Sequence, residues 1–207
     1  MGVLVVLVIS GLASACSSSS PPINASSGGG GGSGGATVAT VADRILLPDD
    51  FKPVCQGATV SRATKYDQAA PTHKVVYFAT FKKDLLDRTT DLPADWGIKL
   101  DPNSNALAGI DVVACATRTS DTFIKDCSGY QDKGEPTQNV VKLHSATYKL
   151  SVHEATTGKE LASTDLAGND TDCPLVASFD SDNDTEDYYP QPSTDEVVAF
   201  IKPFAQP

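Results

Sequence analysis

The alternation of apolar and polar positions is clearest over residues 140–166, where Ala146, Tyr148, Leu150 and Val152 interleave with Thr147, Lys149, Ser151 and His153. A period of two puts the first set on one face of a β-strand and the second on the other. Thr156-Thr157-Gly158-Lys159 then supplies a turn, with Gly158 suited to positive φ, and the alternation resumes with Ala162, Thr164 and Leu166 facing inward. The two runs predict a hairpin within an antiparallel sheet that has one solvated face.

Two further runs, HKVVYFATF at residues 73–81 and IDVVACATR at residues 110–118, are rich in β-branched and aromatic types and predict buried strands. Residues 82–108 read as irregular, broken at Leu92-Pro93 and Asp101-Pro102, with one helical turn near residues 94–97. Residues 37–60 are ambiguous, since TVATVADRILL suits a short helix or a strand and Pro48 and Pro53 interrupt either. Near the end, Ser193-Thr194-Asp195-Glu196 forms a capping box, in which the serine oxygen accepts from an amide one turn on and the glutamate reaches back. The helix that follows presents Val197, Val198 and Ile201 on one side with Phe200 at its edge, and Pro203 is expected to end it. At about nine residues it is too short to stand alone in water, so it must pack. The expected fold class is α+β: a single disulfide-bonded domain, mainly an antiparallel sheet with a short C-terminal helix packed on it.

The start of the chain obeys a different pattern. VLVVLVI, residues 3–9, is continuously apolar, yet serines and prolines begin at Ser17, well before the roughly 20 apolar residues that a spanning helix needs. This is the length of a signal-peptide core. Residues 17–36 are almost wholly Ser, Pro, Gly and other small or polar types without a charge, so they bury too little to offset the entropy of ordering. They are expected to act as a flexible tether with a reach of roughly 25 Å.

The small residues directly before Cys16, in LASAC, resemble a bacterial lipobox. The position three before the cysteine is Ala13, where that family most often has leucine. The resemblance covers only residues 1–35 and implies that Cys16 receives a diacylglyceryl group and becomes an acylated mature N-terminus. It implies residues 1–15 as signal peptide, 16–37 as lipid-anchored linker and 38–207 as a globular domain on the extracytoplasmic face of the cell membrane. Ala13-Ser14-Ala15 also fits ordinary secretory cleavage, which would release the protein freely.

Cysteine counting agrees with the lipid reading, because removing Cys16 from the five leaves Cys55, Cys115, Cys127 and Cys173, an even set able to form two bridges. Of the three connectivities, Cys115 with Cys127 across a short polar excursion, and Cys55 with Cys173, is the expected one. Reduced thiols are the alternative. Zinc is disfavoured, since no C-x-x-C or paired Cys/His spacing occurs.

Charge narrows the partners. The net charge is −10, all of it at or after Asp43, which argues against nucleic acid and against a polybasic grip on anionic lipid. The expected partners are the membrane, through the N-terminal lipid, and an unidentified envelope protein or small ligand; no cofactor is expected.

The chain carries few residues in a catalytic or metal-binding pattern. His144 and His153, nine residues apart on one predicted strand, should face opposite ways, and His73 stands at a strand entrance, so solvated or capping roles are expected for all three. No G-x-S-x-G, S-x-x-K or H-E-x-x-H occurs. Asp180, Asp182 and Asp184 alternate as calcium-loop ligands do, but position six is Thr185 and position twelve Gln191, which leaves them weak calcium candidates beside a solvated acidic loop. Trp96, Tyr188 and Tyr189 are candidates for lining a groove, or for covering the core edge. The sequence therefore points to a tethered binding, structural or accessory module, with an extracytoplasmic hydrolase built on scattered carboxylates as the alternative.

Overall fold

The structure, a computed structural model, describes residues 45–101, 103–168, 170–179 and 182–207. Cys16, the signal segment, the tether and Asp180 lie outside the described residues. The described residues fall within one compact unit, Thr40–Pro207.

The predicted strands form, and their pairing builds a mixed sheet. Strands β1 (Val75–Phe81), β2 (Asp84–Asp87), β3 (Val112–Cys127), β6 (Val140–Glu154) and β7 (Glu160–Gly168) lie in the order β2-β1-β3-β6-β7. A small hairpin of β4 (Gln131–Asp132) and β5 (Glu135–Pro136) stands apart. Strand β8 (Thr185–Tyr188) pairs with the first residues of β6, on which β7 pairs further along. Three of these pairings in the larger sheet are antiparallel, β1 with β2, β3 with β6 and β6 with β7, so the sheet is mainly antiparallel; β1 with β3 and β6 with β8 are parallel. The hairpin at Gly158 is as the alternation predicts. Its φ is +69°, and a Cβ there would stand 2.5 Å from the Ala58 carbonyl oxygen, so only glycine fits.

Both faces of the sheet's centre are covered, in contrast to the single solvated face expected. On one side helix α1 (Thr194–Ala205) lays Val197, Ile201 and Ala205 over Val75, Val112, Leu150 and Val152. On the other a 3₁₀ helix, Pro48–Gln56, places Phe51 and Val54 against Val76, Phe78 and Val113. Each of these Val, Leu, Ile and Phe side chains contributes about 1.5–3 kcal/mol when taken fully from water. Pro48 begins this 3₁₀ helix and Pro53 lies inside it; proline tolerates the first turn because the amide it lacks has no partner there.

Helix α1 begins with the expected box: Ser193 Oγ accepts from the Glu196 amide at 3.3 Å. It does not stop at Pro203. The helix runs on to Ala205, because proline in the last turn forfeits one hydrogen bond, while Gln206 N–H still donates to Lys202 O at 2.9 Å and Ala205 is buried on the core.

The disulfides form two bridges with a different pairing from the one expected: Cys55 joins Cys115 and Cys127 joins Cys173, each with Cα atoms 5.7 Å apart. Residues 117–126 are no returning excursion but the outer part of β3, polar because most of it is exposed. Twelve residues of strand span roughly 40 Å, so Cys115 and Cys127 sit at opposite ends of a rod and cannot meet.

Candidate functional site

The residues singled out in the sequence are dispersed. Trp96 is core, 3% exposed under helix α1. Tyr188 and Tyr189 line an open cavity of about 580 Å³ with Phe81, Lys82 and Gln191. Asp184 borders a wide depression of about 900 Å³ beside the Cys127–Cys173 bridge, and its carbonyl accepts the Val140 amide. Among the described residues no three His, Cys, Asp or Glu side chains converge as a metal site.

Two of the three histidines are buried, where the sequence points to solvated or capping roles, so the solvated reading fails for them. His73 Nδ1–H donates to Asp111 Oδ2 at 2.6 Å, Tyr66 stacks on its ring, and Asp111 Oδ1 accepts the Lys74 amide. The pair ties the entrance of β1 to that of β3, where no sequence motif could reveal it. His153 accepts at Nε2 from Ser151 Oγ at 2.9 Å while its Nδ1–H donates to the Gly158 carbonyl at 3.2 Å. This is the geometry of a serine activated by a base, but both residues are only 6% exposed, so no substrate reaches them.

His144 belongs to a third cluster. Its Nε2–H donates to Asp187 at 2.9 Å, its ring lies against Tyr189, and the Arg118 guanidinium covers that tyrosine at 3.4 Å from the centroid. Gln191 Nε2–H donates to the Tyr148 hydroxyl at 2.8 Å. Burial pushes the Tyr148 phenol up, opposed by Arg118 and Gln191, and burial likewise raises Tyr189. Lys82 pairs with Glu186 at 2.6 Å. The charged members are thus engaged with one another, and the cluster fastens β3, β6 and β8 together.

A largely apolar cavity lies beside the start of strand β1. Strand β2 pairs with β1 only from Phe78 to Phe81, leaving the outer edge of Val75–Tyr77 without a strand. Its polar groups are met piecemeal: Val75 N–H donates to Trp96 O, Tyr77 N–H to Thr89 Oγ1, and Tyr77 O accepts from Arg88 N–H. An irregular segment that makes only these contacts cannot lie flush along the strand. It leaves a cleft of about 450 Å³, walled by Val75, Val76, Leu92, Ile98, Leu107 and Ile110, where the two halves of the core meet. Leu100 lines the cleft and is 53% exposed. Gly97 lets the walls approach, since a Cβ there would already stand 3.1 Å from Thr89 Cγ2.

The polar groups around this cleft are few. Asp87 Oδ1 accepts from both the amide and the hydroxyl of Thr89, at 2.9 and 2.6 Å, and so holds the 3₁₀ turn Thr89–Asp91. Lys99 also lines the cleft, is exposed, and makes no hydrogen bond or ion pair with any described residue. An apolar recess of this volume with a small number of polar groups at its rim has the size and character of a small-molecule site. None of its residues was singled out by sequence. The mixed leucines and threonines and the one glycine of residues 87–100 carry no periodicity, and only the fold gathers them.

No family model, no curated protein and no solved structure matches the chain. No helix among the described residues is long and apolar enough to cross a membrane.

Proposed function

We propose that the protein is a cell-envelope lipoprotein, tethered through lipid on Cys16, whose domain binds a small, largely apolar molecule in the cleft beside β1. The cleft is the observation that supports binding: apolar walls, a ligand-sized volume of about 450 Å³ and a half-exposed leucine that an occupant would cover. The lipobox-like LASAC and the uncharged tether support anchoring. A domain held on such a leash samples the volume just above a membrane.

Binding is tested with N-phenylnaphthylamine, an uncharged probe whose fluorescence rises in apolar surroundings. Ala94 lines the cleft and is exposed, so Ala94→Trp fills the recess without entering the core. Saturable one-site binding by the wild type and its loss in Ala94→Trp is the expected result; no saturable binding, or binding indifferent to this substitution, refutes the cleft as a site. Anchoring is tested by palmitate incorporation in the native host, expected in the wild type and lost in Cys16→Ala.

A further inference from the structure

We infer that the Cys127–Cys173 bridge is a redox switch, opened by a dithiol while Cys55–Cys115 stays closed, and that its opening frees residues 170–179 from the end of the sheet. The two bridges are alike on one side, since Cys115 and Cys127 are both buried in strand β3. They differ at the partner. Cys55 is half-buried in the 3₁₀ helix Pro48–Gln56 and packs with Phe51 and Val54 on the core. Cys173 is exposed in an irregular segment and lines the open depression of about 900 Å³. Thiol–disulfide exchange needs access to one sulfur, and exposed bridges are the labile, regulatory ones. In both bridges the sulfur that departs into the protein is the buried one of β3, so access to the attacked sulfur sets the order.

What the bridge holds is equally local. Among the described residues, segment 170–179 is fixed by the bridge, by the Tyr130 hydroxyl donating to the Pro174 carbonyl at 3.0 Å, and by Ala177 and Phe179 packing on Val141 and Leu143. No backbone hydrogen bond joins it to another described residue. Leu175 and Val176 are 98% and 85% exposed, so their burial holds nothing. A segment with so few ties opens readily once its covalent one is gone. Pro174, Val176 and Ala177 line both the 900 Å³ depression and the 580 Å³ cavity, so release removes a wall that the two share and uncovers Val141 and Leu143.

The step is a two-electron exchange. One thiolate of the dithiol attacks Cys173 Sγ, the bridge bond breaks, and Cys127 leaves as a thiolate that takes a proton. The second sulfur of the dithiol then attacks the mixed disulfide and releases Cys173, which is protonated in turn. The dithiol ends as a disulfide, and its two protons end on Cys127 and Cys173.

The test uses the full chain carrying Cys16→Ser, treated with dithiothreitol, alkylated with N-ethylmaleimide after increasing times and mapped by peptide mass. Cys127 and Cys173 should be alkylated about tenfold faster than Cys55 and Cys115. Chymotrypsin, applied after the reductant is removed, should then cleave at Leu175 and Phe179 about tenfold faster than in the bridged protein, with the circular dichroism of the sheet unchanged. Cys127→Ser combined with Cys173→Ser should be cleaved at the fast rate without reductant, which separates release of the segment from the bulk of the alkyl groups. Three results overturn the switch: Cys55–Cys115 opening first or at the same rate, cleavage within 170–179 that is indifferent to the bridge, or loss of the sheet's circular dichroism when Cys127–Cys173 alone is open.

Discussion

Alkaline pH should unfold this domain in a way that one buried phenol largely controls. Tyr77 lies in the central sheet, 4% exposed, and its pKa is pushed up to about 12 from the ordinary 10.0. Burial is the main cause; the Asp91 carboxylate adds to it and the Arg88 guanidinium opposes it. A phenol whose folded pKa exceeds its unfolded one holds its proton better in the native state. Its contribution is fully present below the unfolded value near pH 10 and is lost as pH rises towards the folded value near 12. A two-unit gap corresponds to about 3 kcal/mol once both states are ionised, and to about 2 kcal/mol at about pH 11.5. Tyr148, Tyr189, Tyr66 and Tyr130 are raised in the same direction, each chiefly by burial, and steepen the loss.

The measurement is urea unfolding at about pH 8 and about pH 11.5 for the wild type and Tyr77→Phe, both carrying Cys16→Ser so that no thiolate attacks the bridges. Between these conditions the wild type should lose about 2 kcal/mol more than Tyr77→Phe. Near-ultraviolet absorbance should show the Tyr77 phenolate appearing together with loss of the circular dichroism of the sheet. Parallel losses in the two proteins, or a Tyr77 phenol that ionises near pH 10 while the fold persists, would falsify the argument.

Peptide mapping under non-reducing conditions should recover Cys55 with Cys115 and Cys127 with Cys173. Replacing Cys55 and Cys115 together by alanine opens a loop of 60 residues and should cost about 4 kcal/mol in urea melts; a cost under about 1 kcal/mol contradicts the chain-entropy account. Asp111→Ala strips buried His73 and the Lys74 amide of their acceptor, and should destabilise by about 3 kcal/mol or more, with Asp111→Asn less severe because it still accepts. Ser193→Ala removes the acceptor for the Glu196 amide at the start of α1 and should cost about 1 kcal/mol, visible as a lower Tm and unchanged disulfide content.

The elements the sequence determined by itself are those whose physics is local. Alternation over residues 146–150 reports which side chains are buried, failing only at Ser151 and His153, which the turn at Gly158 and the opposite core layer cover; Gly158 reports a φ no other residue holds comfortably, and Ser193 with Glu196 closes a cap within four residues. Where local signals stand for more than one conformation, they mislead. The polar run 117–126 reads as a loop because its faces are solvated, yet it is strand, held by β6 across fourteen paired positions of β3. That single difference moved Cys127 to the far end of the sheet and changed both bridges. Pro203 likewise signals a helix end, and packing of Ala205 on the core carries the helix past it.

Only the tertiary structure decided the parallel pairing of β1 with β3, the meeting of His73 with Asp111 and the cleft beside β1, each of which joins residues separated by tens of positions. Their apolar side chains say that Val75, Leu92 and Ile110 want to leave water, and many chain paths satisfy that wish equally. Which of them touch, and where the covering segment stands off the strand and leaves room for a ligand, depends on how edge hydrogen bonds, volume and the two bridges are satisfied at once. That is a property of the assembled fold, and no window of sequence contains it.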